Sequence, residues 1–291
     1  MDKSPWRKNF IPRVMSDIGA VVFLFAMIPA VYIFEIGVVF PIFFKDSPSW
    51  LLYLHNVLGT FALINVLGNY IGCVMVETSI RNVMMPAQIP ENNAGWFVCA
   101  SCESIVPPRS RHCYICRTCI LKKEHHCVFT GYCVGHKNHR YFILFLTYMW
   151  ISTLYASYLN HHFVWSLIGE VTWKHLIRII MPAAVIVLGF DASLTQVYIF
   201  FYSVTIVGLM FVSVLLYQQI QLVITGVTTR EKSMKVQIYS RNKMENVKEV
   251  LGEKWYLAMF IPFIESKLPR DGVFWDRWIT SDKALDDNKS F

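Results

Sequence analysis

Seven of the chain's eight cysteines fall in the thirty-five residues from Cys99 to Cys133, and the run Glu124-His125-His126-Cys127 lies inside that cluster. Three cysteine pairs have metal-knuckle spacing: Cys99 with Cys102, Cys113 with Cys116, and Cys116 with Cys119. His112 and His126 are interleaved among them, and Cys133 closes the set. Two tetrahedral zinc sites require eight soft or borderline ligands. Six of these cysteines and two histidines supply eight, which leaves one cysteine and one nearby histidine over. A thiol left beside an imidazole is a candidate nucleophile with its base.

The rest of the chain says where such chemistry would take place. Hydrophobic residues make up 55% of 291 positions, charged residues 16%, and the mean hydropathy is +0.41, the composition of an integral membrane protein. Apolar runs extend from Ile18 to Phe44, with Glu35 the only charge, and from Trp50 to Val76. Two more run from Tyr141 to about Trp165 and from near Val197 to near Val223. Each is long enough to cross a bilayer, which takes roughly 20 apolar residues. The first run is too long for a signal-peptide core and lacks a small-residue cleavage site, so it is read as a retained helix. The stretch from Leu176 to Phe190, interrupted by Arg178 and closed by Asp191, is expected to be interfacial or re-entrant. The expected fold is therefore an α-helical polytopic membrane protein with four transmembrane helices and a zinc-stapled cysteine-rich domain between the second and third.

Basic residues set the expected orientation. They concentrate in the N-terminal tail (Lys3, Arg7, Lys8, Arg13), the cysteine-rich loop and the region beyond Gly226, and Arg13, Arg140 and Arg230 lie close to span ends. The positive-inside rule places these regions in the cytosol. The expected segments are then a cytosolic tail over 1–17, two spans in 18–76 and the cytosolic zinc domain over 77–140. Two spans with a non-cytosolic loop follow in 141–227, then a cytosolic region over 228–291. A reducing cytosol disfavours disulfides, so the knuckle spacing argues for metal, with zinc the default ion. Such a small loop has little aliphatic content of its own and needs a metal staple. Cys73, inside the second span, is expected to pack as a small hydrophobe.

The run from Cys99 to Phe142, with Pro107, Arg109, His112, Glu124 to Cys127, Cys133, Gly135 and Asn138 at their positions, resembles the DHHC cysteine-rich domain of protein S-acyltransferases, the palmitoyltransferases. Thr228-Thr229-Arg230-Glu231, after the fourth span, looks like that family's TTxE motif, and Asn246 stands in a segment similar to its C-terminal motif. The resemblance implies two structural zincs in interleaved sites: Cys99, Cys102, His112 and Cys119 around one, Cys113, Cys116, His126 and Cys133 around the other. It also implies Cys127 as nucleophile, His125 as general base and Glu124 as the carboxylate that orients His125. Spacing alone does not distinguish this ligand partition from a sequential one.

The implied reaction is transfer of a long-chain acyl group such as palmitoyl from acyl-CoA to Cys127 and then to cysteines of client proteins near the membrane. A free thiol is only a few per cent thiolate at neutral pH, and an adjacent imidazole corrects this. Phe129, Phe142 and Phe145 are candidates to line the acyl-chain entrance. Arg109, Arg111, Lys122 and Lys123 offer charge to CoA phosphates or anionic headgroups. The sequence departs from the family pattern in three places: Glu124 stands where Asp is usual, Phe129 where Trp is usual, and Gly131-Tyr132 where an Asn pair is usual. A glutamate adds a methylene, which puts turnover in question more than formation of the acyl-enzyme.

Elsewhere His161-His162 is read as an interfacial pair, and Asn56, Asn65 and Asn69 as hydrogen-bonding between helices. The apolar run from Trp255 to Phe263 is too short to span and is expected in the interface or against the zinc domain. No phosphate loop or nucleic-acid motif occurs, and the pI of 8.9 suits a membrane-facing surface. Two rivals are a pseudoenzyme of the same fold that binds acyl-CoA or scaffolds, and a membrane RING-like ubiquitin ligase. The ligase would leave no reason for Cys127 beside His125 and Glu124. The family implies endoplasmic reticulum or Golgi membranes; the C-terminal Asn288-Lys289-Ser290-Phe291 holds no evident retrieval signal.

Overall fold

Among the described residues, four helices are long and apolar enough to cross a membrane: Met15–Phe43, Ser49–Met75, His139–Ile168 and Leu194–Thr225. The computed structural model describes residue 7 and residues 10–90, 95–169 and 172–276. Lys3, Lys8 and the terminal residues 288–291 lie outside the described residues. The chain divides into two compact units, Met1–Val22 with Gly68–Ile143 and Gln218–Phe291, and Phe23–Leu67 with Leu144–Tyr217.

In chain order, α1 (Met15–Phe34) passes through a π turn (Glu35–Val39) into the short α2 (Phe40–Phe43), and α3 (Ser49–Met75) follows. The π turn has a local cause. Pro41 has no N–H for the Gly37 carbonyl, and the Phe40 N–H reaches back five residues to the Glu35 carbonyl. Three hairpins come next, β1 (Phe97–Cys99) with β2 (Ser104–Val106), β3 (Arg111–Cys113) with β4 (Thr118–Ile120), and β5 (His125–Cys127) with β6 (Tyr132–Val134). Helix α4 (His139–Ile168) is followed by α5 (Trp173–Ile180) and α6 (Pro182–Val187), which break at Met181 before Pro182. At eight and six residues neither can span, so the Leu176–Phe190 stretch adds no fifth crossing among the described residues. The last elements among the described residues are α7 (Leu194–Thr225), α8 (Thr229–Ser233), α9 (Lys243–Leu251) and α10 (Trp255–Ala258).

The second unit is a helical core of aromatic and aliphatic side chains, with Phe34, Phe40, Leu159, Phe163 and Ile199 buried together. Phe34 stacks on Phe201 at 4.8 Å between ring centres. Glu35, the one charge of the apolar run over 18–44, is buried there: its Oε1 accepts from Asn160 Nδ2 at 2.7 Å. His161 Nδ1 lies 3.1 Å from the Tyr202 hydroxyl, and the metal-type clusters among the described residues do not include His161 or His162. Asn65 Nδ2 donates to the Phe61 carbonyl one turn back in its own helix.

The first unit has a different kind of core. Two small clusters mix cysteines with a few apolar side chains, Cys99 and Cys119 with Ile80, Val106, Leu121 and Val273 in one and Cys113, Cys116 and Cys133 with Ile120 and Tyr132 in the other. Such a core cannot hold three short hairpins by apolar burial alone. Cys73 is buried, and its carbonyl accepts from Asn138 Nδ2 at 3.0 Å. The Trp255–Phe263 run closes onto α3, where Pro262 covers Gly68, while Phe260, Ile261 and Phe263 stay exposed.

The end of α7 is tied off by one side chain. Asn246 Nδ2 donates to the carbonyls of Ile224 and Arg241 at 3.0 Å each, and its Oδ1 accepts from the Arg241 N–H at 3.0 Å. Gly226, at φ 66°, lies beneath it, and a Cβ there would come within 2.4 Å of Asn246 Oδ1. Replacing Asn246 by Ala removes these three hydrogen bonds, at a cost of roughly 1–3 kcal/mol. Asn246→Ala is expected to lower the thermal midpoint of the detergent-purified protein by several degrees; an unchanged midpoint refutes the capping role.

Candidate active site

Hairpin register sets a histidine opposite a cysteine twice, His112 across from Cys119 and His126 across from Cys133. The knuckle turns bring in the other thiols. His112 Nδ1 lies 3.6, 3.3 and 3.9 Å from the sulfurs of Cys99, Cys102 and Cys119. His126 Nδ1 lies 3.7, 3.4 and 3.6 Å from those of Cys113, Cys116 and Cys133. In each set the four donor atoms lie within 4.8 Å of one another. Sulfurs bound tetrahedrally to zinc at about 2.3 Å stand about 3.8 Å apart. The Sγ atoms of Cys116 and Cys133 are 3.7 Å apart. Both clusters therefore have the donors and the spacing to hold zinc. Cys127 belongs to neither.

The strand β5 sorts its two histidines. Successive side chains along a strand alternate faces. His126 points to the cysteines of its cluster, so His125 and Cys127 project together to the opposite face. Beyond Cys127 the chain turns tightly: the Cys127 carbonyl accepts from the Thr130 and Gly131 N–H groups at 3.3 and 2.9 Å and from the Thr130 hydroxyl at 3.3 Å. The Tyr70 hydroxyl donates to the Phe129 carbonyl at 2.8 Å and fixes the loop from outside.

Burial pushes the Cys127 thiol up from its ordinary pKa, and the amides of Phe129 and Thr130 and the Thr130 hydroxyl pull the other way. The His125 ring meets the edge of Phe142 at 5.0 Å. Burial lowers its pKa to about 4, against the pull of the Glu124 carboxylate, so the imidazole is neutral near pH 7 and free to take a proton. Glu124 is itself buried, which raises its pKa against the opposing Lys122 charge and the bonds from Thr229. Its Oε2 accepts from the Thr229 N–H at 3.0 Å and the Thr229 hydroxyl at 3.1 Å. Its Oε1 is buried with no hydrogen-bond partner, and no hydrogen bond joins Glu124 to His125 among the described residues.

The remaining members of the Thr228–Glu231 motif are also engaged. Thr228 and Glu231 form a capping box at the start of α8. Glu231 also takes Arg109 in a two-pronged pair at 2.8 and 2.7 Å, and Arg109 Nη2 donates to the Gly226 carbonyl at 2.8 Å. Arg109 lies over the Trp275 ring at 4.6 Å, so its charge is spent within the fold. Lys122 is buried beside the same ring, and burial lowers its pKa to about 8. Lys123 Nζ donates to the His112 carbonyl at 3.2 Å. Arg111 lies over Phe97 and is half-buried. Phe129 is half-buried and Phe142 buried in the same unit; Phe145 is buried in the other. Thr229, Tyr70 and Asp17, whose carboxylate meets His126, carry no local sequence signal of these contacts, since each partner is far away along the chain.

The family model described as DHHC palmitoyltransferase matches residues 92–236. The zebrafish (Danio rerio) protein named "Probable palmitoyltransferase ZDHHC24" is 36% identical over 221 residues, covering 76% of this chain and 74% of that relative. Its human (Homo sapiens) namesake is 34% identical over 228 residues, covering 76% and 77%. The mouse (Mus musculus) protein of that name is 32% identical over the same length. The family match takes in the hairpins, and the RING-like reading of the paired metal clusters is not favoured. With its interleaved cysteine and histidine clusters and four candidate membrane helices, the chain belongs to the DHHC palmitoyltransferase family.

Proposed function

We propose that this protein is an S-acyltransferase that moves a long-chain acyl group, palmitoyl in the family's type reaction, from acyl-CoA to client cysteines through a thioester on Cys127. The observation that supports it most is the division of labour along β5: His126 faces a metal-type cluster while His125 and Cys127 share the other face. His125 accepts the Cys127 proton, and the thiolate attacks the acyl-CoA carbonyl. The CoA thiolate leaves and takes the proton back from the imidazolium. In the second half His125 deprotonates a client thiol, which attacks the Cys127 thioester and releases the thiolate of Cys127 to be protonated again. Such transfer is ping-pong.

Glu124 stabilises the imidazolium as it forms, the role of the carboxylate in a nucleophile-base-acid triad. Thr229 holds one carboxylate oxygen, and Oε1 is left for the His125 ring. Zinc would be held by Cys99, Cys102, His112 and Cys119 and by Cys113, Cys116, His126 and Cys133, with all four positions taken by protein, so its contribution is to the fold of the hairpins. In the proposed topology both tails and the hairpins are cytosolic, in endoplasmic reticulum or Golgi membranes. Acyl-CoA phosphates then fall to Arg111 and its neighbour Arg230, because Arg109 is committed to Glu231.

Exposure of the purified protein to palmitoyl-CoA is expected to give a hydroxylamine-labile adduct on Cys127 by mass spectrometry. Absence of any adduct overturns the transfer reaction and favours the scaffold. Metal content separates ligands from nucleophile: two zincs per chain are expected in wild type and in Cys127→Ser, whereas Cys113→Ser loses zinc and yield, since a structural zinc is worth about 10 kcal/mol of folding. Unchanged zinc in Cys113→Ser refutes the ligand assignment. Single-turnover acylation tests the carboxylate. Glu124→Gln is expected to keep zinc and slow acylation on the order of 100-fold, Thr229→Val to slow it about 10-fold, and Glu124→Asp to retain most of the rate. Equal rates in all of them remove Glu124 from the mechanism.

A further inference from the structure

The two metal-type clusters are chemically alike but differently supported. His126 Nε2 lies 2.9 Å from Asp17 Oδ2, in the first turn of α1 and 109 residues away in sequence. Asp17 is 1% exposed, and its other oxygen accepts from the Ser16 hydroxyl at 3.3 Å. With Nδ1 turned to the sulfurs of Cys113, Cys116 and Cys133, Nε2 carries the ring proton and donates it to the carboxylate. His112 has no such partner: among the described residues its ring nitrogens meet only the sulfurs of its own cluster, and Tyr114 covers one edge of the ring at 5.2 Å.

The segment that carries Asp17 is strapped to the same hairpin at three more points. The Arg7 guanidinium lies 3.6 Å from the centre of the Tyr132 ring, and the Tyr132 hydroxyl donates to the Ile11 carbonyl at 3.2 Å. Pro12 closes on Gly131, which at φ 70° has no Cβ to obstruct it; a Cβ there would lie 2.4 Å from the proline ring. Arg7 is anchored in turn by its N–H to the Met75 carbonyl at 2.7 Å and its Nε to the Val74 carbonyl at 3.0 Å. Gly131 and Tyr132 are two of the positions where the chain departs from its family's pattern, and both face this strap.

We propose that Asp17 is a positioning residue of the second metal cluster. It fixes the His126 tautomer and ring so that Nδ1 is presented to the ion, and it makes the start of α1 part of a site otherwise built from the cysteine-rich hairpins. The proposal rests on the zinc reading given above. A carboxylate on the far nitrogen of a metal-bound imidazole raises its basicity and fixes its orientation, and losing such a partner weakens metal binding by 10- to 100-fold. The two ions should therefore be held unequally, the one at His126 more tightly.

The test uses full-length, zinc-loaded protein in detergent, a chromophoric chelator and N-ethylmaleimide, with peptide mass spectrometry to record which thiols become free and when. In wild type, Cys99, Cys102 and Cys119 are expected to be alkylated before Cys113, Cys116 and Cys133. In Asp17→Asn the second trio should react about 10- to 100-fold faster while the first trio keeps its wild-type rate; general destabilisation would hasten both. Asp17→Glu, which restores the charge, should recover part of the protection. Zinc-loaded Asp17→Asn with wild-type rates at both trios overturns the role of Asp17 alone, and a wild type that binds no zinc overturns the metal reading beneath it. Should Asp17→Asn yield no folded protein, the wild-type order still decides, since early or simultaneous alkylation of Cys113, Cys116 and Cys133 overturns the proposal.

Discussion

A three-residue strand has only two faces, and β5 uses both. His126 must meet Cys133, its cross-strand partner, and this fixes the register of the β5–β6 hairpin. Once the register is fixed, strand alternation leaves His125 and Cys127 no choice but the other face. A shift by one residue would send Cys127 toward the cluster and His126 away from it. Two-stranded hairpins are marginal in water, and the apolar clusters beneath these ones are small, with cysteines among their few buried members. The register thus depends on whatever draws four donors together, and metal binding is large enough to set it.

The opposite side of the site is closed by chain from beyond the fourth span. A buried carboxylate is costly unless its oxygens are bonded, and Thr229 supplies two donors to Glu124 from the start of α8. Glu231 and Arg109 pin α8 to the loop before β3, and Asn246 pins the preceding turn. Each contact joins a hairpin residue or a helix end to a partner remote in sequence. The Thr228–Glu231 motif thus has three separate tasks within four residues: a helix cap, a carboxylate donor and a cation grip.

Much of this was legible from composition and spacing, and the reasons differ by element. The spans were readable because bilayer thickness demands long apolar runs, yet the third helix begins at His139 rather than Tyr141. His139 and Arg140 continue the helix because Gln219 and the carbonyls of Ile264 and Ser266 satisfy them in place of water. Knuckle spacing announced metal but not which thiols share an ion, since that is decided by hairpin register. Arg109 read as a free charge because its counter-ion lies 122 residues further on. Gly131 and Tyr132 stand where an Asn pair is usual, and the residues packed against them, Pro12, Ile11 and Arg7, lie near the other end of the sequence, out of reach of local spacing.

The unit that holds Cys127 is assembled from three stretches separated by membrane helices. Thr229 is synthesised 105 residues after the carboxylate it holds, with the third and fourth spans in between. The cysteine hairpins therefore leave the ribosome, with Glu124 still lacking its hydroxyl and amide donors, before half of the membrane domain exists. The surroundings of Glu124 are completed only after the last candidate span has been made, because only then does α8 arrive. A chain arrested at the third candidate span would present the thiols from Cys99 to Cys133 while Glu124 still lacked both donors, so the order of synthesis leaves closure of this carboxylate's surroundings to the last part of the chain.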